Sequence, residues 1–195
     1  DMTLRLKVHF ERALAKEPTL RQVFEEIEVP LVPVLAHMEL AGVKLDTDFL
    51  RTLRGGVRRR LAALERKICA LAGTTFNVSS TQQLRSVLFE RLRLSPTGIT
   101  RAQTGLSTAA DELEKLRDQH PIIPLLLEHR ELSKLENTYL EALPELVDQG
   151  TGRVYTTYNQ TIAATGRLSS SAPNLQNIPI RTELGAEIRK AFVAE

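Results

Sequence analysis

The chain has 195 residues, 42% of them hydrophobic and 26% charged, with a net charge of +2 and a pI near 8.8. That size allows one large or two small domains, and the balance is ordinary for a soluble globular protein rather than for a disordered or strongly basic one. Cys69 is the single cysteine, which excludes an internal disulfide and a cysteine metal cluster, and no apolar run reaches membrane length and no signal peptide is visible, so a cytoplasmic protein is expected.

Residues 3–16 carry Leu4, Val8, Ala13 and Leu14 among charges and predict a short amphipathic helix that Pro18 stops. A second helix is predicted over 19–41, with Val23, Phe24, Ile27, Leu31, Val34, Leu35 and Met38 on one side and a kink or break near Pro30. His37, alone in that helix, reads as structural or surface rather than as a ligand. Gly42 ends the helix and Val43–Asp46 reads as extended. Asp46 or Asp48 then caps a long helix whose stripe is Leu50, Leu53, Val57, Leu61, Leu64, Ile68 and Leu71, with Gly73 as C-cap and a possible kink at Gly55-Gly56. Between Arg51 and Lys67 this helix holds seven basic residues and one acid, Glu65. A solvated face and a phosphate-contacting face both fit that run.

Ser80-Thr81-Gln82-Gln83 is a capping box that starts a helix carrying Leu84, Val87, Leu88 and Leu92. Residues 95–105 read as a loop containing Arg101. Ser107 or Thr108 starts a further helix through Leu116, and His120-Pro121 breaks it. The last long helix is expected over Ile122–Leu143, stopped by Pro144, with Arg130 and Lys134 four apart on one face. Asp148–Gly152 is a turn, Val154–Ala163 a strand rich in Tyr and Thr, and Arg189–Ala194 a second strand. Asp1 begins inside a helical pattern and Glu195 ends inside an apolar run, so the chain is expected to be a fragment of a longer protein.

The segment Ala163–Pro179 stands apart. Arg167 is its only charge, set among Thr165, Ser169, Ser170, Ser171, Asn174, Gln176 and Asn177. Gly166, Pro173 and Pro179 favour an irregular backbone. It reads as a surface of hydrogen-bonding groups laid against a polar partner.

Thr165-Gly166-Arg167-Leu168-Ser169-Ser170 followed by Pro173-Asn174-Leu175-Gln176-Asn177-Ile178-Pro179 resembles the palm segment of family A DNA polymerases, the bacterial DNA polymerase I type. Leu35-Ala36-His37-Met38-Glu39 with Gly42-Val43-Lys44-Leu45-Asp46 resembles the lead-in to the polymerase domain. Phe76-Asn77, Gln83-Leu84, Val87-Leu88-Phe89 and Ser107-Thr108 resemble words of the thumb.

The resemblance implies a mainly α fold with a smaller β part (α+β), a helical thumb followed by the first strands of a palm. By domain it implies residues 1–28 as the end of a preceding, exonuclease-like domain, 29–48 as the lead-in, 49–150 as the thumb and 151–195 as the truncated palm. It implies primer–template DNA and dNTPs as partners of a monomeric, nucleoid-associated enzyme of replication or repair. Arg167 would sit in the minor groove at the primer terminus, with Asn174, Gln176 and Asn177 bonding the duplex nearby. Acceptors lie in that groove on A·T and G·C alike, so a rigid five-donor guanidinium there tests pairing geometry without reading sequence. Arg130, Lys134 and Thr108 would touch phosphates, which position without specifying. An ion pair of Arg130 or Lys134 with Glu131 or Glu136 is the structural alternative.

Two departures stand out. Ala172 replaces a residue usually acidic in the family, and Ala102-Gln103 replace lysines often found in the thumb loop. The parent would use Mg2+, two ions stabilising the attacking and leaving oxygens. No acid here fits the metal carboxylates, so no catalytic or metal residue is assigned and the fragment alone is expected to be inactive. The alternative is a non-enzymatic helical nucleic-acid-binding or scaffold module.

Overall fold

Helices dominate the chain because apolar residues recur at helical spacing through most of it, and α-helical segments such as those after Asp1, Asp46, Ser80 and Thr182 begin at a side-chain cap. The computed structural model describes residues 1–102 and 105–194; the expectations for Gln103 and Glu195 lie outside them. The chain divides into two units. One comprises Asp1–Leu45, Leu146–Ile178 and Phe192–Glu195, the other Asp46–Glu145 and Pro179–Ala191.

In the first unit, α1 (Met2–Leu14) is capped by Asp1, whose Oδ1 accepts the Thr3 N–H at 3.0 Å. α2 (Pro18–Val23) runs through a π-helical stretch (Phe24–Glu28) into α3 (Val29–Ala41). The predicted 19–41 helix therefore continues past Pro30. The ring cannot donate to the preceding turn, and the widened stretch just before it is where the chain absorbs that loss. Of the stripe expected to be covered, Leu35 is buried while Val23, Phe24, Ile27, Val34 and Met38 are exposed. His37 is exposed too.

Gly42 ends α3 at φ 63° and ψ −178°, a region open essentially to glycine alone. β1 (Val43–Lys44) then pairs antiparallel with β4 (Arg153–Val154), Val43 opposite Val154 and Lys44 opposite Arg153. β5 (Thr157–Asn159) pairs with β6 (Ser169–Ser171). The predicted continuous strand 154–163 is thus two short pieces, and the partner of the second lies inside the polar segment.

In the second unit, α4 (Thr47–Ala72) begins where Asp46 Oδ1 accepts the Phe49 N–H at 2.9 Å, so Asp46 and not Asp48 is the cap. The helix passes unbroken through Gly55-Gly56. It ends at Gly73, left-handed at φ 64°, where Arg91 donates to the carbonyls of Ala72 (2.7 Å) and Gly73 (2.6 Å). α5 (Thr81–Arg85) continues as a π-helical stretch (Ser86–Arg91). Ser80 Oγ accepts the Gln83 N–H at 3.4 Å, but the Gln83 carboxamide accepts from Asn77 N–H at 2.8 Å instead of returning to Ser80, so the capping box closes on one side only.

β2 (Arg101–Ala102) and β3 (Gly105–Leu106) form a small antiparallel pair. α6 (Ala110–Glu114) is shorter than predicted, since Ala109 at its start offers no side-chain cap. α7 (Ile122–Leu135), a π-helical stretch (Glu136–Glu141) and α8 (Ala142–Glu145) form one run that includes Pro144 rather than stopping at it. α4 packs on α7 and that stretch, burying Leu50, Val57, Leu64 and Ile68 with Ile122, Leu126, Leu132, Leu135 and Leu140. Each such side chain contributes about 1.5–3 kcal/mol by leaving water. Leu71, expected in the stripe, is exposed.

Residues 183–190 correct the prediction of a strand beginning at Arg189. They form α9 (Glu183–Lys190), and both Arg189 and Lys190 lie in its last turn. Thr182 Oγ1 caps it by accepting the Gly185 N–H at 3.1 Å, and Glu183 in the first turn with two bases in the last suits the helix dipole. Past α9, in the first unit, Phe192 makes one bridge, with Leu45. The mainly helical fold with a smaller β part stands, and β5 pairs with β6 rather than with residues 189–194.

Candidate nucleic-acid interface

The polar segment is a hairpin followed by a tied turn. Asn159 pairs with Ser169, and residues 160–168 form the loop between the strands. In that loop the Gly166 N–H donates to Ala163 carbonyl at 3.1 Å, and Gly166 sits at φ 73° with open space where a side chain would be. Arg167 follows, exposed, and among the described residues it has neither an ion pair nor a hydrogen bond.

Beyond β6 the chain turns back. The buried Thr156 hydroxyl lies 3.1 Å from the Ser171 carbonyl and 2.7 Å from that of Pro173. Buried Ser170 accepts the Leu175 N–H at 3.1 Å and donates to Asn174 Oδ1 at 3.4 Å, while Asn174 Oδ1 also accepts the Gln176 N–H at 3.0 Å. Thr156 and Ser170 thus hold the turn at Ala172, which has φ 56°. Asn174, Gln176 and Asn177 are exposed. Among the described residues, nothing bonds the Asn174 NH2 or the carboxamides of Gln176 and Asn177.

In the second unit, Arg130 and Thr108 meet directly. Arg130 Nη1 donates to the Thr108 carbonyl and Nη2 to its hydroxyl at 3.2 Å. Burial pushes the Arg130 guanidinium pKa down, and the Thr108 side chain is buried. Both line a cleft of about 490 Å³ with Ser79, Arg85, Ser107 and Ser133. Arg85 also donates to the Leu106 carbonyl at 2.8 Å. Lys134 is exposed and lies outside that lining.

The alternative ion pairs of Arg130 and Lys134 are not formed. Arg54 and Arg58 take Glu136 instead, at 2.7 and 3.1 Å, and Arg54 also reaches Glu141. Burial pushes the Glu136 carboxyl up, but those guanidinium hydrogen bonds, Arg54 first, outweigh it and hold it below the usual range. Arg60 pairs with Glu128 and Arg51 with Asp48. Four of the seven basic residues in the run on α4 are therefore paired within the fold. Arg85 was missed in the sequence because it closes a helix turn with no pattern of its own; its place in the cleft depends on the loop at Leu106.

Among the described residues, no group of three His, Cys, Asp or Glu side chains could hold a metal ion, so those residues do not fit a Mg2+ site. Nor is any described helix long and apolar enough to cross a membrane.

Residues 47–195 match the profile of DNA polymerase family A. The thermostable DNA polymerase I of Thermus caldophilus is 50% identical over 191 residues, covering 98% of this chain and 23% of the relative. DNA polymerase I of Deinococcus radiodurans is 54% identical over 175 residues, 90% of this chain and 18% of the relative. A solved structure, the POL domain of Pol1 from M. smegmatis in complex with DNA primer-template and dNTP, is 39% identical with a TM-score of 0.86, covering 98% of this chain and 33% of that one. The chain thus spans about a fifth of the length of the curated relatives it matches. With three quarters of its residues matched by one family profile and a relative 50% identical across nearly the whole chain, this chain belongs to DNA polymerase family A.

Proposed function

We propose that this chain is part of a DNA-directed DNA polymerase that extends a primer 3′ end on a DNA template in replication or repair. It supplies the grip on the primer terminus and the thumb, residues 49–150, together with the end of an exonuclease-like domain in residues 1–28 and the start of the palm from residue 151. The carboxylates that would hold Mg2+ belong to another part of the parent, where the metal would supply charge stabilisation for nucleotide transfer. The partners are primer–template DNA and dNTPs, and the parent works as a monomer in the bacterial cytoplasm, on the nucleoid. Family membership favours this reading over a scaffold module.

One observation carries it. Among the described residues, Arg167 stands exposed and without a partner on a hairpin loop, followed by the open Asn174 NH2 group and the unengaged carboxamides of Gln176 and Asn177. An unneutralised guanidinium beside neutral donors and acceptors suits the minor-groove edge of a base pair, where acceptors recur whatever the sequence. Lys134, exposed on α7, suits a phosphate. Arg130 acts mainly on Thr108 and thereby shapes the cleft.

The test is single-turnover extension by the complete polymerase from matched and terminally mismatched primers. Arg167→Ala is expected to lose about 1–3 kcal/mol of transition-state stabilisation on the matched end, the scale of one good bidentate contact. It should lose little on the mismatched end, where the acceptors are out of register. Arg167→Lys should restore only part, since one ammonium cannot bridge two acceptors in a plane. Equal losses on both ends would remove the geometry-checking role.

A further inference from the structure

We propose that Gln160, bonded to Glu28, is a positioning residue that sets the loop carrying Arg167. The inference rests on the reading of Arg167 as the primer-terminus contact.

Between the paired residues Asn159 and Ser169 the loop has no ladder bonds, and its internal tie is the turn from Ala163 to Gly166. A loop of that kind leaves its tip free to sample many positions. The tie to a rigid body comes at its first residue. Gln160 Nε2 donates to the Glu28 carbonyl at 3.1 Å and to Glu28 Oε2 at 2.7 Å. Glu28 is the last residue of the π-helical stretch, where it passes directly into α3.

A second bond runs in parallel. The Tyr158 N–H of β5 donates to Glu39 Oε1 at 2.7 Å. Glu28 and Glu39 are about three turns apart, hence on one face of the same helical run. The hairpin stem and the loop's first residue are therefore both fixed to that face, which α3 and β5 share in contact.

The residue type matters. A carboxamide satisfies Glu28 without bringing a charge, and it occupies an oxygen that could otherwise reach toward a cation. Arg167 is left held in place and still unneutralised. A near-attack geometry is sensitive to shifts of about 1 Å, so loss of a distant brace is felt at the reacting end.

The experiment uses the complete polymerase and the same matched and mismatched primers. Gln160→Ala should slow matched-end addition about tenfold, on the scale of a small misplacement of the contact. Mismatched-end addition and duplex affinity should stay within about twofold. In an Arg167→Ala background, Gln160→Ala should have no further effect on the rate, because the residue it positions is gone. Gln160→Glu should lose as much by facing the Glu28 carboxylate, and adding Glu28→Gln should recover part of the rate by reversing the hydrogen bond. If Gln160→Ala proves too unstable to assay, that charge-exchanged pair decides by itself. A Gln160→Ala loss of equal size with and without Arg167 would overturn the proposal, as would no loss at all. Should Arg167→Ala leave matched-end addition unchanged, the primer-terminus reading itself fails. If Arg167→Ala is slow and Gln160→Ala is silent, only the brace fails.

Discussion

Lys134 keeps its ammonium in solvent one helical turn beyond Arg130, whose guanidinium is taken up by Thr108. In the complete enzyme Lys134→Ala should weaken DNA binding about equally for all sequences and reduce the log–log salt slope by about one, with an unchanged melting temperature. Arg130→Ala should do the reverse first, costing about 1–3 kcal/mol of stability by leaving the Thr108 oxygens unsatisfied. A salt slope that Lys134→Ala does not move would take Lys134 out of the interface. The sequence placed the two on one face, and spacing could do no more, because which one is captured depends on the loop before α6. Glu112 was invisible for the same reason. It is buried and accepts from Lys115 Nζ at 2.8 Å, from the Thr100 hydroxyl at 2.7 Å and from the Thr100 N–H at 3.1 Å. The Lys115 bond first, then those from Thr100, hold its carboxyl at about 2. That lies below the ordinary carboxylate value of about 4.3, so its contribution is fully present above that pH and is lost as pH falls toward 2. The melting-temperature gap between the native protein and Glu112→Gln should be widest at neutral pH and close between pH about 4.5 and 2; a gap independent of pH would contradict the clamp.

Among the elements, the long stripe of α4, its cap at Asp46 and its end at Gly73 were legible because helix period and capping chemistry are local. The three π-helical stretches were not, since a single widened turn leaves the apolar spacing almost unchanged. Nor was α9: Ala191-Phe192-Val193 drew the reading toward a strand, while the signal lay upstream in Thr182 and Glu183. Gly42 joins α3 to β1 where both rules apply. A Cβ there would lie 2.8 Å from the Tyr155 ring and 3.1 Å from the Val154 carbonyl. Gly42→Ala should cost about 2–3 kcal/mol in chemical denaturation, most of it from a backbone region nearly closed to other residues. Adding Tyr155→Ala should relieve only the smaller, steric share. A total loss below about 0.5 kcal/mol would mean that the joint relaxes freely.

At the scale of the whole molecule, the polar segment identified the family while its pairing stayed hidden, because β6 is built of serines and carries no hydrophobic alternation. Purified alone, the chain should not extend a primer given Mg2+ and four nucleotides. Template-dependent extension that persists after contaminating polymerase is removed would show that the carboxylates lie within it. The pairing of β1 with β4 has a consequence for the order of events in time. It joins residues separated by all of 45–152, and closing a flexible loop of that length costs about 4 kcal/mol. A ladder of two residues on each side returns too little to form before the intervening chain has contracted. Docking of α4 on the run that follows α7, which brings Arg54 to Glu136 and Glu141, supplies that contraction. Folding is therefore expected to run from the helices outward, with the strand pair closing last. Weakening it should leave the folding rate nearly untouched and speed unfolding, as expected for contacts absent from the transition state.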